Sequence, residues 1–422
     1  MMELLALGAS HKTADLAVRE RLALLDGQIE PFLHELVALE GVTEAVALST
    51  CNRTELYVVG ESPEVAIQAL PADVPLYSAR NCDAARHLYR VVSGLDSMVV
   101  GEAEIQGQVK RAYERALAAR TTGPLTNQLF RAALATGKRV RTETAISEGH
   151  ASVATVAVDA ARALIGELSQ RHVVIVGAGE TSEQVARAFH AHGVSTMFVA
   201  NRHRDRAIAL ASRFGGESGG FDQLPDELER ADVVVSSTAS PHAIVGPEEL
   251  DAVRGGRPLL IIDLAVPRDI DPACASVDGV TLLDMDALQR AVRGHLNVRK
   301  GEAVHAEAIV EEEIQTFAGW LGRLDVMPTL AALRGRGDAV VNELLAANAG
   351  RWESLSAKDE ARVEALARAV VKRLLHEPTE RVRTLDDEHR HARLKLLREL
   401  FGLEEDAASE AGEAAEVRRL AG

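Results

Sequence analysis

Cysteine is scarce in this chain: three residues, Cys51, Cys82 and Cys274, in 422. So few exclude a disulfide scaffold and suit a reducing compartment. None has the close CxxC spacing of a zinc site, and no metal is expected. Long apolar runs are missing too, and none approaches the ~18 residues of a membrane span. The first 14 residues have no basic leader and no extended apolar stretch, so a cytoplasmic protein without a secretory signal is expected. Positive charge is short: 47 basic residues against 63 acidic give −16. That excludes a broadly basic coat for nucleic acid but leaves room for an RNA held on a local basic face. Aromatics, at 3%, are too few for a single-strand stacking platform.

What is present is globular. Apolar residues make up 47% and charged residues 26%, which rules out wholesale disorder. At ~150 residues per domain the length predicts about three domains. We expect boundaries at 1–150, 151–283 and 284–422. The first is mixed α/β, with short strands at 4–6, 45–48 and 55–59 and helical patterns at 17–39, 83–92, 102–120 and 125–140. In the second, a helical pattern at 152–168 is followed by apolar strands at 172–176, 197–200, 233–237 and 259–263 that alternate with helices. That alternation predicts a doubly wound parallel sheet of the Rossmann type. From Asp284 the pattern is all-helical: one long helix to about Leu324, ended or reset by Pro328, then helices at 329–348, 357–376 and 388–400. Their apolar stripes call for a partner subunit. The acidic stretch 404–416 reads as frayed.

Two local patterns carry chemistry. Gly177-Ala178-Gly179-Glu180-Thr181-Ser182 lies between a β-branched strand and a helix. The first glycine permits a tight turn, the second lets backbone approach a pyrophosphate, and the helix start offers amide donors. Ser182 stands where a third glycine is usual. The next strand ends in Asn201-Arg202-His203-Arg204 rather than in an acid, which favours a 2′-phosphate and hence NADPH over NADH. The same pattern also fits a tight turn that binds nothing, beside solvated arginines. The second pattern is Ser49-Thr50-Cys51-Asn52-Arg53-Thr54-Glu55, on a polar turn after a strand. A cysteine there, beside an arginine, is placed to be exposed and partly thiolate. Most lone cysteines are small buried hydrophobes, so the pattern leaves nucleophile and core residue both open. His87, among Leu88, Tyr89 and Val91 on a helical pattern, reads by itself as a core histidine.

Taken together, STCNRTE at 49–55, RHLYRVVSGLDSMVVGEAEIQGQVK at 86–110, VVIVGAGETS at 173–182, ANR at 200–202 and DLAVPRDIDP at 263–272 resemble the glutamyl-tRNA reductase family, in its order and over almost the whole chain. A weaker match is ELFGL at 399–403. The resemblance implies a multidomain α/β fold: an N-terminal catalytic domain, a Rossmann-like NADPH domain, and a long helix leading to an all-α dimerisation domain. It implies NADPH-dependent reduction of glutamyl-tRNA(Glu) to glutamate-1-semialdehyde, the first step of five-carbon tetrapyrrole synthesis. Cys51 then matches the nucleophile that forms a glutamyl thioester, and His87 the histidine important for activity. Thr50, Asn52, Arg53, Ser97, Glu102, Ala103, Glu104 and Gln108 fall on substrate-contact positions, with Arg53 expected to pair with the glutamyl carboxylate. Gly177 to Ser182, with Asn201 and Arg202, fall on the cofactor segment. Glu104 stands where the family often has Gln, and a carboxylate there donates no hydrogen bond unless protonated. A homodimer and an aminomutase that takes the aldehyde are the implied partners. Arg390, Arg393, Lys395 and Arg398 make a basic cluster that suits either phosphate contact or a solvated face.

Overall fold

The computed structural model of the chain describes residues 2–147, 152–292, 300–351, 356–383 and 390–403. The chain divides into two units, Met1–Ile314 and Gln315–Gly422. The first begins with an antiparallel sheet of β1 (Glu3–Ser10), β2 (Val42–Ser49), β3 (Arg53–Gly60) and β4 (Tyr77–Arg80), in the order β2-β3-β1-β4. Its helices are α1 (Leu16–Leu22), α2 (Asp26–Ala38), α3 (Asn81–Val92), α4 (Glu104–Ala118) and α5 (Pro124–Glu143). The helical stretch expected over 17–39 is two helices, because the chain turns extended at Ala23. Helices α2, α4 and α5 pack on β2, and α3 packs on β1 and β4. The scarce aromatics gather here: Phe130 meets Tyr57 edge-on at 5.4 Å and stacks on Tyr113 at 5.5 Å. Strand β3 is buried along its whole length although it opens with Arg53, Thr54 and Glu55.

Helix α6 (Val153–Ile165), capped by the Ser152 hydroxyl, leads into a second sheet. Its strands are β5 (His172–Val176), β6 (Thr196–Ala200), β7 (Glu217–Gly219), β8 (Val233–Ser236), β9 (Leu259–Asp263) and β10 (Val280–Leu283), all parallel. The order β10-β9-β8-β5-β6-β7 is the doubly wound order expected, with its switch point between β5 and β8. Helices α7 (Glu180–Ala191), α8 (Arg204–Arg213), α9 (Leu224–Arg230), α10 (Pro247–Arg254) and α11 (Met285–Val292) cover it. Side chains of a strand alternate between faces. Val173 and Ile175 accordingly join one core cluster, while Val174 and Val176 join another on the opposite face. That two-sided burial explains the unbroken apolar runs.

Helix α12 (Lys300–Asn348) starts in the first unit, where Glu311 and Glu307 pair with Arg86 and Arg90 of α3, and Glu312 and Glu313 with Arg139 of α5. Of the long helix expected over 284–324, α11 and the part of α12 from Lys300 are helical, 293–299 lie outside the described residues, and Pro328 lies inside α12 rather than ending it. A proline removes one N–H from the ladder, and a 49-residue helix keeps its flanking turns. The second unit holds the rest of α12 with α13 (Ala357–Arg383) and α14 (Arg390–Phe401). Leu330, Val382 and Leu397 pack together there, and Arg398 donates to the Thr329 hydroxyl at 2.9 Å. Arg398 thus has a partner in its own unit, while the side chains of Arg390, Arg393 and Lys395, and the stretch 404–416, lie outside the described residues. No described helix is long and apolar enough to cross a membrane.

Candidate functional site

Strands β2 and β3 form a hairpin whose tip is Thr50, Cys51 and Asn52. The tip is held from all sides. Thr50 N–H donates to the Arg53 carbonyl at 2.8 Å, and the Thr50 hydroxyl accepts from the backbone of Asn52 and of Arg53, both at 3.2 Å. From outside, His11 N–H donates to the Asn52 carbonyl at 2.8 Å and Arg19 Nη1 to the Cys51 carbonyl at 2.5 Å. Cys51 is half-buried, with its side chain packed on the core cluster of the second sheet, against which Ala178 and Val266 also pack. The same cluster takes in Met98 and Val99 from the first module, so the cysteine lies in the seam between the two. The expectation of an exposed, partly ionised thiol is corrected here. Burial, then the nearby Glu102 and Glu104 carboxyls, push the Cys51 thiol up to about 12.

Arg53 is also not where a substrate carboxylate would find it. It is 1% exposed. Its Nη1 donates to Glu55 at 2.6 Å, and its Nη2 donates to the Asp96 carbonyl at 2.5 Å and carboxylate at 3.1 Å. Glu55 is the hub. It accepts from Arg53, from Tyr57 at 2.6 Å, from Tyr77, and is bonded to His87 Nε2 at 2.9 Å. Burial alone would neutralise Glu55, but Arg53 and then His87 hold its carboxyl well below the usual range. Asp96 is held down likewise, against burial, by Arg53 and by Lys12, with which it pairs. His87 therefore joins the arginine network, and among the described residues no hydrogen bond links it to Cys51. His11, which the sequence did not single out, is buried beside this network. Burial, then Arg53, lower its pKa to about 4, so the ring is neutral. Among the described residues its Nδ1 and the Asn52 Oδ1 are buried without a hydrogen-bond partner, which marks unmet polar capacity in this region.

Ser97 and Glu102 are buried on the loop before α4, Ala103 is exposed, and Gln108 is half-buried on α4. Burial, then Glu102 and Glu180, push Glu104 up to about 7. A carboxyl shifted in that direction protonates more readily than an ordinary glutamate, and the protonated form can donate a hydrogen bond as an amide would.

The glycine turn follows β5, at the switch point of the second sheet. Gly177 has φ +118°, and a Cβ there would lie 2.7 Å from the Ser237 carbonyl. At Gly179 a Cβ would meet nothing within 4 Å, so its bareness serves the space beyond rather than the packing. That space is a cleft of about 340 Å³ lined by Gly177, Ala178, Gly179, Asn201, Arg202, His203 and Arg206 and, not singled out from the sequence, Ser237, Thr238 and Ser240. Among the described residues no carboxylate lines it, and two guanidinium groups do. These residues fit a dinucleotide carrying a 2′-phosphate. Ser182, placed on the cofactor segment, is corrected: it is fully buried and its hydroxyl bonds that of Ser237 at 2.7 Å, tying α7 to the end of β8. Glu180 faces away from the cleft lining and pairs with Arg111 of α4 at 3.1 Å; Thr181 is not among the lining residues either.

Comparison with known proteins covers each part of this architecture. Residues 7–144 match the family model of the glutamyl-tRNAGlu reductase N-terminal domain, 159–291 that of shikimate / quinate 5-dehydrogenase, and 305–403 that of the glutamyl-tRNAGlu reductase dimerisation domain. The chain is 42% identical to a glutamyl-tRNA reductase of Magnetococcus marinus, over 96% of this chain and 100% of the relative. It is 42% identical to one of Trichlorobacter lovleyi, over 96% and 97%. The solved glutamyl-tRNA reductase of Methanopyrus kandleri superposes with a TM-score of 0.56 at 34% identity, covering 95% of this chain and 99% of that one. With identity at this level along nearly its whole length, the chain belongs to the glutamyl-tRNA reductase family.

Proposed function

We propose that this chain reduces glutamyl-tRNA(Glu) to glutamate-1-semialdehyde with NADPH, a step of tetrapyrrole biosynthesis, through a thioester on Cys51. The observation that carries this reading is the seam: the Cys51 side chain shares one packed cluster with Ala178 of the glycine turn. The Cys51 sulfur attacks the ester carbonyl and gives up its proton. The ribose oxygen of the tRNA leaves and takes a proton, and the acyl group stays on sulfur. NADPH, when bound in the cleft, supplies the hydride that brings the acyl carbon to the aldehyde level as the C–S bond breaks. Gly177, Ala178 and Gly179 would cradle its pyrophosphate, with Asn201, Arg202 and Arg206 at the 2′-phosphate. Glu180, Thr181 and Ser182 hold the helix start behind them.

Around the sulfur, Thr50 fixes the hairpin tip. Asn52, Ser97, Glu102, Ala103, Glu104 and Gln108 form the substrate wall, and the unpartnered Asn52 Oδ1 supports it. Arg53 and His87 act through the Glu55 hub, which sets the shape of that wall. We read residues 1–150 as the catalytic module, 151–283 as the NADPH module and 284–422 as the long helix and dimerisation module. The exposed Leu366, Val370 and Leu374, four residues apart on α13, support a homodimer through the last of these. A reactive α-aminoaldehyde is best consumed at once, which supports an aminomutase as the receiving partner.

The test is aldehyde formation from glutamyl-tRNA and NADPH by wild type and Cys51→Ser. Wild type forms the semialdehyde and the variant loses at least about a thousandfold in rate. Equal rates would remove Cys51 as nucleophile. No aldehyde from wild type, with NADPH still bound, would remove the activity.

A further inference from the structure

Two neighbouring residues of α1 reach across the seam, and neither has a role in the reading above. Arg19 is 3% exposed. Its Nη1 donates to the Cys51 carbonyl at 2.5 Å, and its Nη2 pairs with Asp286 at the start of α11. The same Asp286 carboxylate accepts the Leu16 N–H at 2.9 Å. Next to it, Glu20 takes three bonds from Arg268: backbone N–H at 2.8 Å, Nε at 2.8 Å and Nη2 at 2.6 Å. Arg268 lies in the loop after β9, whose shape is set by two buried acids. Asp263 accepts from Ala265 N–H and Ile270 N–H, both at 3.0 Å. Asp269 accepts from the Ser236 hydroxyl at 2.6 Å and from the Thr238 N–H at 2.7 Å. Thr238 lines the nucleotide cleft. One continuous set of polar contacts therefore runs from the cleft wall through Asp269 and its neighbour Arg268 to Glu20, and from the adjoining Arg19 to the backbone of Cys51.

We propose that Arg19 and Glu20 are positioning residues for hydride transfer: their bonds to Asp286 and Arg268 seat the nucleotide module on the Cys51 hairpin. The geometry favours this over a plain surface contact. Arg19 is buried, its fork joins the two modules at once, and the residue it holds on the near side is the cysteine itself. Exposed ion pairs contribute little, whereas pairs withdrawn from water fix geometry. Seating acts after the acyl group has reached sulfur. While the modules are docked, the thioester carbonyl faces the cleft and water is kept out. With the seating loosened, water attacks the thioester carbonyl, the C–S bond breaks, and free glutamate leaves in place of the aldehyde.

This inference rests on the Cys51 thioester reading, and the experiment separates the two. Wild type, Asp286→Asn and Arg268→Gln are given glutamyl-tRNA and NADPH, and deacylated tRNA, semialdehyde and free glutamate are each measured. Deacylation in the variants stays within about twofold of wild type, while the ratio of semialdehyde to glutamate falls about tenfold. The charge-reversed pair Glu20→Arg with Arg268→Glu recovers a large part of the ratio that Glu20→Arg alone loses. Deacylation and reduction falling in parallel, or an unchanged ratio, would overturn the proposal. A second readout does not use the reaction: alkylation of Cys51 by iodoacetamide runs about tenfold faster in Asp286→Asn, at a temperature well below the unfolding transition of either protein. The same rate as wild type would count against the seating role. Failure of the thioester reading looks different, since Cys51→Ser would then match wild type in both deacylation and reduction.

Discussion

Glu55 shows how much of this site is fixed by single side chains. Four donors converge on one buried carboxylate, so removing Arg53 would leave a charge uncompensated in the core, at a cost of about 3–5 kcal/mol. That magnitude argues against Arg53 leaving the network to meet a substrate. Glu104 is the residue with room to change. Its carboxyl lies at about 7 instead of its ordinary 4.5, so the folded chain holds an extra proton between those values. The stability linked to that proton is whole below pH 4.5 and is lost as pH rises through about 7. Glu104→Gln removes the dependence: its melting temperature exceeds that of wild type by about 2 °C at pH 8 and hardly differs at pH 5. The same change lifts one of the charges that hold the Cys51 proton on, so iodoacetamide alkylation at pH 8 runs about threefold faster. Equal melting and alkylation curves would show that Glu104 is not buried against Glu102 and Glu180. The turn and polar flanks of Cys51 drew attention to it in sequence but left nucleophile and core residue both open. Its high pKa was not legible, because it comes first from burial against a second module and then from carboxyls about fifty positions away. His11 was illegible for the same reason, having no local pattern of its own, and Asp96 lay within a quoted motif that did not reveal its pairing with Arg53.

At the level of elements, the glycine turn separates two demands that a sequence motif merges. Gly177 is required by the backbone, through its positive φ and the approach of the Ser237 carbonyl. Gly179 is not required by the packing, and on the proposed reading its bareness serves the ligand. Gly177→Ala should therefore cost about 1–3 kcal/mol of stability. Gly179→Ala should cost about 1 kcal/mol or less while weakening NADPH binding at least tenfold. Thermal melts beside a fluorescence titration with NADPH decide this, and normal binding by Gly179→Ala would move the pyrophosphate elsewhere. The third position of the motif carries no glycine because the Ser182 hydroxyl makes, through Ser237, the helix-to-strand contact that close packing makes in other chains. Buried strands were the most legible elements: β5 and β9 run over the residues that their apolar runs mark. The strands left out were β4, β7 and β10, of four, three and four residues. So few residues at a sheet edge give no periodicity to read. Pro328 misled because a proline's effect depends on whether flanking turns hold the helix, which only tertiary structure settles.

For the whole molecule, the division into chemistry, cofactor and assembly was legible because each part has its own period: mixed, strand–helix alternation, and unbroken helix. Assembly is open to a direct test. The stripe of Leu366, Val370 and Leu374 is 49–69% exposed in a single chain, and charge there should be intolerable if a second copy covers it. Val370→Glu with Leu374→Glu should sediment as a monomer at micromolar concentration, where wild type sediments as a dimer. A dimer formed by both would place the interface on another surface. The seam over Cys51 has one further consequence, in terms of oxidative damage. Peroxides attack the thiolate and need access to it. A thiol kept protonated and packed between two modules offers neither. On the proposed reading, the chain awaiting substrate thus shields Cys51 from overoxidation, and exposure to that chemistry is confined to the interval in which the seam would open for the aminoacyl end of a tRNA.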